Sequence, residues 1–246
     1  MTLHTGLYSG NQTLVHHKLK LRYLSEVRGT EEAIIKIKGK KYRIDVLDEL
    51  KSSVYEIQRS NFGNIFSDKI RDLLQFSKMK IVIVHPIVLT QKVTRMNQGE
   101  IMGVSYYNKR SNIYSLFEKL VYFKVEFVPQ RMEFDVVFIK EHVLKELVGF
   151  YGRSRRRKYE TIQRDLLDIE EIMKFRTKSD FLNLLPNGLP DVFTNRDLAE
   201  KLEIKGSQKR IQRVPGIITY SLCILGILDR VGTRGRAHEF IIRTSN

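Results

Sequence analysis

Cysteine is almost missing from this chain. Cys223 is the only one in 246 residues, so no intrachain disulfide can form and no cysteine-rich zinc site exists. It lies in an apolar run, YSLCILGIL, where a small buried hydrophobe is the expected role. Long apolar runs are missing as well. No stretch approaches the roughly 20 residues of a membrane span, and the opening MTLHTGLYSGNQT has no apolar signal-peptide centre. A cytoplasmic protein with no membrane partner is expected. Acids are scarce beside bases, 28 Asp and Glu against 43 Lys and Arg, for a net charge of +15. Such an excess points to a polyanion, most simply nucleic acid.

With 42% hydrophobic residues the composition is globular, and the length suits one or two domains. The most informative stretch runs from Tyr42 to Pro86. A strand is predicted over Tyr42–Leu47, then a polar turn, then a second strand over Val54–Gln58. An amphipathic helix follows over Phe62–Leu74, with Ile65, Ile70, Leu73 and Leu74 near helical spacing. An Ile/Val strand over Lys80–Val84 reads as buried on both faces. Two carboxylates are set against this core, Asp45 in Ile-Asp-Val and Glu56 in Tyr-Glu-Ile-Gln. A carboxylate among β-branched residues is costly to bury without a partner. A divalent metal is one such partner, since magnesium takes one or two carboxylates and keeps several waters. The bland alternative puts Asp45 in a turn and Glu56 toward solvent. Asp48 and Glu49 are rival acids, and Asp45 is preferred because it lies within the strand.

Leu14, Val15, Leu19, Tyr23 and Leu24 predict an N-terminal helix over Asn11–Glu26, capped by Asn11 or Thr13, with His16 turned inward. Glu31–Ile37 and Lys41–Leu47 read as a hairpin around Gly39. Ser60 is a candidate helix cap or phosphate contact. Lys69 lies on the following helix, able to reach back toward the acids. Further on, a loose edge strand is expected over Val88–Met102, a short helix over Ile113–Leu120, and strands over Val121–Val128 and Phe134–Ile139. A helix is expected over Glu141–Phe150 and a linker helix over residues 159–174. The densest charge cluster is GRSRRRK, with Arg153, Arg155, Arg156, Arg157 and Lys158 as candidate phosphate contacts. The plain alternative is a solvated charge run.

From Phe181 onward come a short helix, a turn-rich break, a helix over Asn195–Leu202 capped by Thr194, a longer helix ending near Gly226, and a hairpin with the basic tip GTRGR. This order resembles a winged helix-turn-helix. Such modules place the second helix of the motif in the major groove. On that likeness Gln208, Lys209, Gln212 and Arg213 face the groove, Arg210 is a further DNA contact, and Arg234 and Arg236 form the wing.

Asp45 followed by Glu56-Ile57-Gln58, in the order strand, strand, helix, buried strand, resembles the core of the PD-(D/E)XK nuclease superfamily. The marks VHHKLK, IDV, YEIQRSNF, VHPI, LPDVFTNRDLAEKL and RVGTRGRAHEF further resemble a prokaryotic family pairing such a core with a C-terminal winged helix. The resemblance implies an α/β fold: a restriction-endonuclease-like mixed sheet flanked by helices, plus the winged helix. Its implied parts are residues 1–158, a 159–174 linker and 175–246. It also implies Mg2+- or Mn2+-dependent hydrolysis of DNA, with Asp45, Glu56 and the Ile57 carbonyl holding the metal and Gln58 orienting water. Gln58 stands where that superfamily usually has Lys, and Gln12 stands where a helix Glu often faces the metal. A catalytically inactive nuclease-like DNA-binding protein is therefore the alternative. A homodimer is compatible, because a second copy is able to supply a missing positive charge.

Overall fold

A computed structural model describes residues 13–152, 155–203 and 208–243, with backbone alone over 208–212. The first helix, α1, spans Leu14–Ser25. Its cap is Thr13, whose hydroxyl accepts from the His16 amide at 3.4 Å. Three strands follow: β1 (Gly29–Ile37), β2 (Lys40–Asp48) and β3 (Ser53–Ile57). The β1–β2 turn places Lys38 and Gly39 at φ 48° and 77°. That is the doubly left-handed turn suited to a two-residue hairpin, and it explains the glycine. Helix α2 (Asn64–Phe76) leads into β4 (Lys80–Asn97), and β5 (Glu100–Asn108) turns back on β4. A 3-10 turn over Ile113–Leu116 and α3 (Phe117–Leu120) precede the two longest strands, β6 (Met132–Tyr151) and β7 (Arg156–Phe175).

These strands form one seven-stranded mixed sheet in the order β1-β2-β3-β4-β6-β7, with β5 paired to β4. The β3–β4 and β4–β6 pairs are parallel, and the rest are antiparallel. Strand β4 is the axis. Ile81 and Ile83 enter one apolar cluster while Val82 and Val84 enter another, which is why its sequence is apolar without alternation. Helix α1 covers the second cluster through Val15, Leu19 and Tyr23. Helix α2 and the C-terminal elements cover the first. The protein is therefore α/β, a large mixed sheet with helices on its faces.

β4 continues straight through Pro86. Val84 accepts at its carbonyl from the Gln58 amide, just past the end of β3, so Pro86, two residues on, directs its nitrogen to that same edge. Here β3 has ended at Ile57 and β5 pairs only from Thr90. The missing N–H costs no ladder bond.

Three sequence expectations are corrected. Glu141–Phe150 is strand, not helix, and residues 159–174 are strand, not a linker helix. Both segments are rich in Glu, Lys and Leu and carry helical spacing. Each instead finds its partner in the other, in a hairpin paired from Phe134↔Phe175 to Tyr151↔Arg156, and tertiary pairing outweighs local propensity. The expected boundary at residue 158 thus falls inside a hairpin. Residues 121–128 form no strand. Their alternation is real, since Phe123, Val125 and Phe127 are all buried. Their amides bond outside any ladder, Lys124 to the Ser67 hydroxyl and Phe127 to the Leu225 carbonyl.

The C-terminal part comprises α4 (Lys178–Leu182), β8 (Phe193–Thr194), α5 (Asn195–Lys201), α6 (Gln208–Ile224), β9 (Leu228–Arg234) and β10 (Ala237–Ile242). A small sheet runs β8-β10-β9. Thr194 caps α5 in a reciprocal box with Asp197. This part shares its core with the large sheet. Phe181, Phe193, Leu222 and Leu225 belong to the same cluster as Phe62, Phe123 and Phe134. Ser221 donates to the Phe117 carbonyl at 3.1 Å, and Arg243 meets Glu126 at 2.9 Å.

Candidate active site

β2 and β3 pair from Asp48↔Ser53 to Val46↔Tyr55 and then part. Asp45 and Glu56 lie immediately past that last pair, at the mouth of the opening. β3 meanwhile keeps its parallel pairing with β4 as far as Ile57↔Val84. The Asp45 carboxylate fills the gap. Its Oδ2 accepts from the Ile57 amide at 2.8 Å and lies 3.3 Å from His16 Nε2 on α1. Asp45 thereby holds the strand end that β2 has left. Ile57 itself is buried in the α1-side cluster.

Glu56 is 4% exposed. Lys69, reaching back from α2, sits with its Nζ 2.6 Å from Glu56 Oε2 and also donates to the Arg43 carbonyl. Glu56 Oε1 is buried with no hydrogen-bond partner. Burial pushes the Glu56 carboxyl up to about 7; the Lys69 ammonium opposes the rise and the Asp45 charge adds to it. His16 Nδ1 is likewise buried without a partner.

Gln58 turns away from the carboxylates. Its Nε2 donates to the Ser60 hydroxyl at 2.9 Å and to the Asn61 carbonyl at 3.0 Å. Ser60 therefore serves the loop, and the cap of α2 is Gly63 without a side-chain bond. His85 Nδ1 is 2.6 Å from the Gln58 carbonyl, and burial pushes this imidazole down to about 4, so it is neutral at physiological pH. Gln12 lies outside the described residues.

One grouping escaped sequence reasoning. Arg59, next to Gln58, reaches Glu141 at 2.7 Å and also donates to the Thr13 hydroxyl. Arg164 reaches the other Glu141 oxygen at 2.9 Å, as does Gln91 at 2.8 Å. Glu141 is 1% exposed, a buried acid held between two guanidinium groups. Arg59 beside the Glu-X-Gln strand was a visible signal. Glu141, read as part of a helix, was not.

The basic candidates are spread out. Arg155, Arg156, Arg157 and Lys158 are exposed at the β6–β7 turn, with Arg155 over the Phe150 ring at 5.8 Å and Lys158 3.2 Å from Glu160. Arg153 lies outside the described residues. Gln208, Lys209 and Arg210 open α6, with Gln212 further along it, and the side chains of all four lie outside the described ones. Arg213 is exposed, 3.8 Å from Glu118. Arg234 is engaged by Glu239 at 3.0 Å and Asp197 at 3.6 Å, while Arg236 stands exposed at the β9–β10 turn.

Among the described residues no group of three or more His, Cys, Asp or Glu side chains is placed to hold a metal. The donors at the opening are two carboxylates, one with a buried oxygen lacking a partner. Hard oxygen donors of that number suit magnesium, which keeps most of its waters.

The fold and site thus define an α/β protein with a mixed sheet and a paired-carboxylate opening at the parting of two strands. The chain belongs to the family described as "Domain of unknown function (DUF8091)", whose pattern matches residues 13–176. A protein of Treponema pallidum (strain Nichols), described as "Uncharacterized protein", is 23% identical over 149 residues, covering 60% of this chain and 58% of the relative. This chain thus spans a little over half the length of that relative. No solved structure matches. No described helix is long and apolar enough to cross a membrane.

Proposed function

We propose that this protein is a metal-dependent DNA endonuclease, with a restriction-endonuclease-like core and a C-terminal winged helix. The observation that carries the reading is Glu56, buried beside Asp45 at the strand opening with one oxygen unpartnered. Asp45, Glu56 and the Ile57 carbonyl would hold Mg2+ or Mn2+, which supplies charge neutralisation on a phosphate and a more acidic water. Lys69 brings to Glu56 the positive charge that Gln58 lacks, arriving from α2 rather than from β3. Asp45 fixes the end of β3, and His16 orients Asp45. The basic β6–β7 turn would hold the DNA backbone. So would Arg213 and Arg236, together with Gln208, Lys209 and Arg210 at the start of α6. The order α5, α6, β9, β10, with β8 closing the small sheet, supports the winged-helix reading. A cytoplasmic setting suits a chain with one cysteine, and a homodimer suits a duplex substrate.

The engagement of Gln58 by Ser60 and Asn61 favours a second reading, a nuclease-like DNA-binding protein without cleavage. One experiment separates the two. Linear, circular, single-stranded and branched DNA are incubated with magnesium, manganese or chelator, beside an Asp45→Ala, Glu56→Ala variant. Cutting that needs metal and vanishes in the variant is expected. Equal DNA binding by both proteins with no cutting would replace the nuclease by the binder.

A further inference from the structure

The distal halves of β4, β6 and β7, with β5 along the edge, extend the sheet into an arm beyond α1. From Glu141 to Tyr151 β6 alone spans about 34 Å at the usual rise per strand residue. On β4, Gln91, Val93 and Arg95 alternate onto one face, and they pair with Glu141, Val143 and Lys145 on β6. This face continues the one that α1 covers lower down, where Val137 and Ile139 meet Val15 and Leu19.

Along it the cations come in sequence. Arg59 and Arg164 lie at the base, fixed by Glu141. At mid-arm Arg95 donates to the Ser105 hydroxyl at 2.9 Å and the Tyr107 hydroxyl at 2.7 Å, and sits 5.9 Å from the Tyr159 ring. The Arg95 hydrogen bond holds the Tyr107 hydroxyl below its ordinary range, and Lys145 adds to the effect, so both cations lie near that hydroxyl. The exposed turn ends the row with Arg155 and Arg157, while Lys158 pairs with Glu160 on the opposite face. Among the described residues the acid at the base of this row is Glu141, already neutralised by two arginines, and Glu100, paired with Asn97, stands at the far end of β4 and β5. Glu146 and its cross-strand neighbour Glu160 alternate onto the opposite face.

We infer that this face of the arm is a DNA-backbone track, leading from the basic turn through Arg95 and Lys145 to Arg164 and to Arg59, which reaches Thr13 at the cap of α1, the helix whose His16 meets Asp45 at the strand opening. Charge complementarity selects the occupant, since a row of cations with interleaved tyrosines matches a row of phosphates. The arm spans about ten base pairs, one duplex turn, at about 3.4 Å per step. The proposal deepens the nuclease reading by adding where the substrate lies, and it is read by binding rather than by cutting.

The test is binding of a fluorescently labelled duplex of about thirty base pairs in chelator, over a salt series, by the full chain carrying Arg95→Gln and Lys145→Gln. About a tenfold loss of affinity at low salt is expected. The slope of log affinity against log salt should fall by about two, one for each phosphate that is no longer neutralised. Lys92→Gln, on the opposite face of β4, should bind like the unaltered protein. Unchanged affinity and slope in the double variant would overturn the track. An equal loss per charge in Lys92→Gln would also overturn it, since the effect would then be net charge alone. Unaltered protein that fails to bind duplex overturns it as well. Binding with the expected slopes but no cutting in metal would leave the track standing and remove the nuclease reading.

Discussion

Replacing Glu56 with glutamine tests the electrostatics of the opening. In the folded protein Glu56 holds its proton up to about pH 7, against an ordinary 4.5. Between those values the folded state binds more protons than the unfolded chain, so stability falls as pH rises. At about 1.4 kcal/mol per unit, the shift costs the folded state about 3 kcal/mol by pH 8. Glu56→Gln removes the titration while keeping the side chain's shape and an acceptor for Lys69. His85 titrates in an overlapping window with the opposite sign. Its folded value of about 4 against 6.5 makes stability fall as pH drops. Comparing the two proteins at each pH cancels that contribution. Urea unfolding at pH 4.5, 6 and 8 should show the variant gaining about 3 kcal/mol on the unaltered protein across the range. Manganese at pH 8 should narrow the gap, because a bound cation stabilises the charged form of Glu56 and has less to hold in the variant. A stability difference that stays flat from pH 4.5 to 8 would refute the reasoning and mean that Lys69 fully compensates the burial of Glu56.

Two further outcomes are expected. Phe134→Ala should cost about 3–5 kcal/mol in urea unfolding, because Phe134 is fully buried and its ring meets those of Phe62, Phe123, Phe127 and Phe181. The transition should remain single, since those rings come from both parts of the chain. Glu141→Ala should cost about 3–5 kcal/mol by leaving Arg59 and Arg164 without their shared partner, and Glu141→Gln less, both read by thermal unfolding.

The strands bearing Asp45 and Glu56 were legible because alternation and β-branched residues agree there, and α2 was legible from Ile70, Leu73 and Leu74, although Ile65 of the expected stripe faces solvent. The start of β4 could be read, and its continuation only as a separate edge strand over Val88–Met102, because Pro86 looks like a stop. It is harmless only because β3 has ended and β5 has not begun on the edge its nitrogen faces. The β6–β7 hairpin was hidden by residues that favour helices, and with it went Glu141 and the arginines that meet there. The partner of Glu56 was legible in part: Lys69 fell within reach of the acids once α2 was placed. The tie of Gln58 to Ser60 and Asn61 was not, since a side chain's choice between loop and opening leaves no trace in spacing.

The pattern shared across the family stops at residue 176, just short of Phe181, whose ring stacks on Phe175 at 4.6 Å. Within this chain α4, α6 and the residue just past α6 then roof the phenylalanine-lined side of the sheet, through Phe181, Leu222 and Leu225 respectively. A member sharing only the first 176 positions inherits that same apolar floor without its roof. Water would not tolerate a floor of that size bare. Diversity in such a family is then expected to gather in whatever caps the floor.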